Sequence, residues 1–210
     1  MKIVTLVIAL IYGYSCTAQS NDDMPDTRKK TESFIKIQQK EIRADLASFT
    51  MSGIDESVGK GDISKIPFTS VGPNFMTFEN DNIKASVTIA PFLKSKHKLD
   101  YDEKYLIKID KKPYYGGYGS IPATTINQVI IIIDKDTVAI PAAAYSDLCN
   151  LNLSYSEKGR QLSTNGIYRS RYGNRIYLYL FSKDKSGSYE VTWIIQDKKY
   201  VRRVLDYGFM

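Results

Sequence analysis

The side chains that could do chemistry in this 210-residue chain are few and scattered. Its single histidine, His97, stands in KSKHKLD. Acyl transfer and most zinc sites need an imidazole beside a nucleophile, a carboxylate or further ligands. The neighbours here are lysines, which repel a metal ion, so the spacing predicts a solvated loop histidine. Asp184, Ser186, Ser188 and Glu190 alternate in KDKSGSYE, which faintly suggests a calcium loop. The pattern D-x-D/N-x-D/N-G is missing, and a lysine, Lys185, stands between the only two carboxylates. A hairpin loop accounts for the stretch better. Glycoside hydrolysis would need two acids meeting in space, and no sequence feature picks out a pair. The expectation is a non-enzymatic chain with no cofactor and no metal.

The tyrosines are unusual: there are 16, and three of them crowd Pro113-Tyr114-Tyr115-Gly116-Gly117-Tyr118-Gly119-Ser120. Tyrosine supplies contact area with a polar handle, and glycine lets backbones approach closely. That combination suits a recognition loop for a protein or a glycan. It equally suits a connector whose tyrosines pack on a sheet edge, since aromatic residues favour strands. GGYG is no phosphate loop, because no lysine-serine pair follows it and no helix is expected there. The candidate partner-binding anchors are Tyr114, Tyr115 and Tyr118, with Arg169 and Arg171 on an adjacent strand.

The chain opens MKIVTLVIALIYGYSCTA, one lysine and then an apolar run from Ile3 to Ile11. That pattern reads as a secretory signal peptide over residues 1–18, too short and one-sided to span a membrane permanently. Cleavage after Ala18 leaves Cys16 and Ala18 at the small positions −3 and −1. The alternative makes Cys16 a lipidated N-terminus; Ser15 suits a lipobox, but Gly13 stands where leucine is usual. The expected location is the periplasm, or the outer membrane if Cys16 is lipidated. Once the signal is removed only Cys149 remains, so no intramolecular disulfide can form and packing alone must hold the fold. The formal charge of +6 comes from 29 basic and 23 acidic residues, scattered rather than blocked. A nucleic-acid role would want a continuous basic stripe and a recognisable motif. Neither is present, and export argues the same way.

Behind these residues stand the elements that would position them. Residues 19–26 read as a flexible leader, and 27–210 as one domain. A helix is expected over 27–50, with Ile35, Ile42, Leu46 and Phe49 on one stripe, Asp26 as its N-cap and Gly53 as its stop. That stripe would dock on the protein's own sheet or offer a groove to a partner. Beyond Gly53 the period changes to two. Phe75 to Phe78 and Ile83 to Ile89 read as a hairpin, Tyr105 to Ile109 as a strand, and 94–104 as an exposed loop. Val129 to Ile133 is an unbroken β-branched run, expected to be buried on both faces at the centre of the sheet. Gly166 to Tyr172, Arg175 to Phe181, Tyr189 to Gln196 and Tyr200 to Leu205 read as a four-strand meander. Both its faces carry large apolar groups, so one face can meet a second sheet and the other the helix. The predicted fold class is α+β, an N-terminal helix packed on an antiparallel β-sheet that curls into a sandwich or partial barrel.

AYSDL (144–148), GSYEVTW (187–193) and KYVRRVLDYGF (199–209), set after a hairpin ending in IP (140–141), carry a resemblance. Over residues 126–209 the chain resembles small exported proteins of Gram-negative bacteria, notably the Bacteroidota. Some of these are encoded near interbacterial toxins such as type VI secretion effectors. The resemblance implies an immunity protein that binds and blocks a cognate toxin in the periplasm. It brings no catalytic residue, and the helix and the Tyr-Gly loop lie outside it. The alternative is a glycan or envelope-ligand binding module that uses exposed tyrosines as stacking platforms.

Overall fold

The computed structural model describes residues 24–171, 174–184 and 187–209. The expected signal peptide, its cleavage site, Cys16 and leader residues 19–23 lie outside the described residues. The structure is mostly antiparallel β, with a single α-helix among the described residues. One five-stranded sheet has the order β1-β11-β12-β13-β14, built from Ile63–Ile66, Gly166–Ser170, Arg175–Asp184, Gly187–Gln196 and Lys199–Phe209. A second has the order β2-β3-β4-β7-β8, from Phe68–Val71, Phe75–Asn80, Ile83–Pro91, Thr124–Ile133 and Asp136–Val138. Two hairpins stand apart: β5–β6 (Leu99–Asp102, Tyr105–Ile109) and β9–β10 (Tyr155–Glu157, Arg160–Leu162). Neither large sheet closes into a barrel.

The two sheets are joined at Pro67. Ile66 ends β1 in the first sheet, and Phe68 begins β2 in the second. Proline has no N–H to give either ladder, so pairing stops there and the chain changes sheet. The main core lies between the facing sides. Ile176, Leu178, Leu180, Val191, Trp193 and Ile195 come from one sheet, and Met76, Phe78, Val87, Val129 and Ile131 from the other. In the meander Leu178 pairs with Trp193 and Leu180 with Val191, all on the inner side. Tyr177 pairs with Ile194 on the opposite side and belongs to a second buried cluster with Val204, Phe34, Ile37, Ile42 and Leu46. The period-two pattern thus sorts each strand between two apolar layers.

Several sequence expectations need correction. Residues 27–50 do not form one helix. They form 3₁₀ turns at Lys30–Glu32 and Phe34–Lys36, an extended Ile37, and α1 at Lys40–Leu46. The cause is tertiary: Asp206 accepts from the Ser33 hydroxyl and from the Phe34 backbone N–H. Those bonds hold Ser33 extended, so helical pairing stops there. Ile35, placed on the buried stripe by periodicity, is 63% exposed, and Phe34 and Ile37 are buried instead. Asp26 caps no helix; it binds Arg28. Residues 24–26, expected to belong to a flexible leader, are engaged: Met24 joins a small core with Tyr118, and the Pro25 carbonyl accepts the Tyr118 hydroxyl. In β6 the fully buried residue is Leu106, not the Tyr105-Ile107-Ile109 face. The centre of the second sheet is β4, not the Val129–Ile133 hairpin, and Ile130 and Ile132 are only half-buried. The stretch 94–104 is not simply a loop, since it contains β5.

Candidate interaction site

The Tyr-Gly loop is packed inward. Tyr114, Tyr115 and Tyr118 are 1%, 6% and 2% exposed. The Tyr114 hydroxyl donates to the Ser120 carbonyl at 2.7 Å, and Tyr118 accepts from the Thr27 backbone N–H at 2.9 Å. Tyr115 packs its ring against Tyr207, and burial pushes its phenol up to about 12. The backbone is fixed as firmly. Tyr115 N–H donates to Asp147 O, and Cys149 N–H to Tyr115 O. At Gly116 φ is +88°, and a Cβ there would lie 2.0 Å from the Cys149 carbonyl oxygen. Glycine is needed for that approach, as expected of close-packed backbones. The tyrosines therefore clamp a connector and do not present contact area, which corrects their assignment as anchors.

Cys149 is buried under the same loop, and burial raises its thiol to about 12. A thiol that stays protonated is a poor nucleophile. The Cys149 peptide is expected to remain unmodified by iodoacetamide at pH 8 in the native protein and to label fully in denaturant. Mass spectrometry reads this directly.

The two predicted arginines have a different fate. Arg169 on β11 and Arg171 just beyond it line a cleft of about 570 Å³. The cleft lies at the mouth between the sheets, where four connections meet: after β3 (Asn82), β7 (Asp134), β11 (Arg171, Asn174) and β13 (Asp197, Lys198). Ile133 and Ile176, where the core reaches the surface, form part of its lining. Arg169 keeps the parity of Ile167, which faces the core, so its guanidinium emerges on the inter-sheet side. Charged bonds cross from sheet to sheet here. Lys198 reaches Asp134 at 2.6 Å and Asp136 at 2.9 Å, and Arg169 reaches Asn82 Oδ1 at 3.5 Å. Lys198 and Asn82 hold the Asp134 carboxyl below its ordinary range. The tyrosine loop is not part of this site. Its Tyr115 pairs with Leu148, and the next residue, Cys149, pairs with Thr125 near the start of β7, whereas the cleft lies past Ile133. Seven or eight extended residues separate the two, roughly 25 Å.

A second hollow, about 350 Å³, is walled by Tyr155 and Phe181 with Asn152, Ser154 and Thr164 at its rim. His97 stacks on Phe92 and bonds Asp110 at 2.7 Å, so it is partnered rather than merely solvated. Among the described residues no group of three or more histidines, cysteines or acids is placed to hold a metal ion.

Three buried charge clusters carry no recognisable sequence motif. Glu190, the last acid of the supposed calcium pattern, is 2% exposed and accepts from Met51 N–H, Ser52 N–H, the Ser52 hydroxyl and Tyr179 OH. Asp45 accepts from Tyr177 OH at 2.6 Å and Arg175 Nε at 3.0 Å. Arg203 joins Glu32 and Asp147. Burial raises the Tyr177 and Tyr179 phenols, and the adjoining carboxylates add to the effect. The available signal was a charge standing inside an apolar strand, as Glu190 does in YEVTW and Asp206 in VLDYG. Such a charge must be paired. These clusters are fully engaged in holding segments together, and the cleft at the sheet mouth is the stronger candidate for contact with another molecule. No family model matches the chain, and no curated protein or solved structure matches it either.

Proposed function

We propose that the chain is an exported, non-enzymatic binding protein of the periplasm, and specifically an immunity protein that blocks a cognate interbacterial toxin. Its scaffold is a sandwich-like pair of sheets with the N-terminal helix laid on the outer side of one. The observation that carries the reading is the convergence of four strand connections on one open cleft rimmed by Arg169, Arg171 and Lys198. Loops held at one end of a rigid sandwich are well suited to recognition, because the scaffold bears the ordering cost before the partner arrives. Arginine is enriched among the residues that dominate binding energy. The export pattern of residues 1–18 and the resemblance over 126–209 supply the setting.

The test is genetic. Deleting the gene should make cells sensitive to intoxication by neighbouring kin, and expression of the exported chain in trans should restore resistance. Unchanged resistance in the deletion strain would end the immunity reading. A glycan-binding role keeps one specific support, the Tyr155–Phe181 hollow with its amide and hydroxyl rim. Aromatic faces beside such groups suit a sugar ring. Saccharide binding on a glycan array, lost in Tyr155→Ala, would favour that reading.

A further inference from the structure

The cleft has one cation in a different state from the others. Arg171 pairs with Asp62 at 2.9 Å, Arg175 with Asp45 at 3.0 Å, and Lys198 with Asp134 at 2.6 Å. Among the described residues Arg169 has no carboxylate within ion-pair distance. Its hydrogen bond is to the Asn82 amide oxygen at 3.5 Å, long for an N–H donor. The side chain is exposed, and it stands at the mouth of a cleft of a volume that ordinary ligand sites use. A planar guanidinium in that position offers a fork that matches the two oxygens of a carboxylate.

We propose that Arg169 is the receptor for an acidic side chain of the protein partner, a carboxylate that enters the cleft and takes the guanidinium in place of Asn82 Oδ1. The inference rests on the reading of this chain as a protein-binding module. The neighbouring acids decide which oxyanion fits. Asp134 and Asp197 line the same cleft, so a doubly charged phosphate meets more repulsion there than a singly charged carboxylate. Asp134 is already engaged by Lys198 and Asn82, which limits its competition for Arg169. The other three cations hold their own carboxylates and so supply the field but not the fork.

Arginine-side-chain NMR tests this on the mature chain without knowledge of the natural partner. The Arg169 Nε–H resonance is assigned by its disappearance in Arg169→Lys, and a blocked peptide carrying a single glutamate and inorganic phosphate are titrated in turn. The peptide should shift the Arg169 signal, more strongly at low salt than at high, because exposed charges are screened. Arg169→Lys, which keeps the charge but loses the fork, should bind the peptide about tenfold more weakly. Arg169→Gln should not bind it measurably. An unresponsive Arg169, or equal affinity in all three proteins, overturns the proposal. A response to phosphate at lower concentration than to peptide overturns the choice of carboxylate. A responsive Arg169 in a strain whose deletion has no phenotype removes the immunity reading and leaves the site. A silent Arg169 with a sensitised deletion strain does the reverse.

Discussion

Glu190→Ala is expected to destabilise the protein by about 3–4 kcal/mol, one of the largest losses available from a single substitution here. Four donors converge on its carboxylate. Tyr179 OH comes from the neighbouring strand at 2.8 Å, and Met51 N–H at 2.7 Å, Ser52 N–H at 2.8 Å and the Ser52 hydroxyl come from the chain that follows α1. Glu190 is thus the tie between the post-helical segment and the first sheet. Truncation leaves Tyr179 OH buried with no acceptor, a cost of about 1–3 kcal/mol by itself. Water can reach the Met51 and Ser52 donors, since Met51 is 45% exposed, so their share is the smaller one. In urea the midpoint should fall with little change in slope, because the amount of surface exposed on unfolding is nearly unaltered. Tyr179→Phe, which removes the stranded donor, should cost about 1 kcal/mol alone and less than that on top of Glu190→Ala. A loss below about 1 kcal/mol in Glu190→Ala would mean that the tie is not structural.

That carboxylate shows where sequence reading succeeds and where it stops. The four-strand meander of the last third was legible because each strand alternates at period two between two apolar sets. Ile176, Leu178 and Leu180 go one way and Tyr177 and Tyr179 the other, and both sets are buried. The same pattern cannot say what a polar residue in that register does. Glu190 sits among Tyr189, Val191 and Trp193, and only the three-dimensional position of residues 51–52 turns it from a loop acid into an anchor. The N-terminal helix failed for a related reason. Its stripe was real for Ile42 and Leu46, but Asp206, more than 170 positions away, captures Ser33 and Phe34 and prevents helical pairing there. Tertiary hydrogen bonding overrode local periodicity.

The tyrosine loop and the arginines diverged in the opposite sense. Tyr and Gly at 113–119 have the composition of a recognition loop, yet Gly116 serves close backbone approach to Cys149, and Tyr114 and Tyr118 pack in a small buried cluster with Cys149 and Leu106. Composition cannot distinguish a ring that faces outward from one that faces a neighbouring strand. Arg169 and Arg171, expected beside the tyrosine loop, line a cleft that no residue of that loop reaches. Their company was not legible, since Asn82, Asp134 and Lys198 reach the cleft from three other connections through the stacking of two sheets.

Arg203→Ala is expected to cost about 3–5 kcal/mol, because it leaves acids without their cation in a mostly buried setting. All of the guanidinium is used. Nη1 and Nη2 clasp the two oxygens of Asp147 at 2.6 and 2.8 Å, Nε and Nη2 reach Glu32 Oε2 at 2.9 and 2.7 Å, and Nη1 also donates to the Ala144 carbonyl. The arginine side chain is 8% exposed, Asp147 16% and Glu32 40%. Most of the loss should therefore come from the Asp147 side, with the Glu32 bond discounted for solvent screening. Lysine cannot restore the clasp, since it has no planar fork, so Arg203→Lys should recover little. Arg203→Met combined with Asp147→Asn removes both buried charges and should be clearly more stable than Arg203→Met alone. The single tryptophan supplies a local readout. Trp193 Nε1–H donates to the same Ala144 carbonyl at 3.0 Å, so its emission should move in Arg203→Ala even where the protein is folded. A calorimetric midpoint lowered by roughly 10 °C is the scale expected for a domain of this length. If Arg203→Met and the double variant melt together, the buried charge of Asp147 is not what the arginine holds in place, and the segment 144–148 is fixed by packing instead.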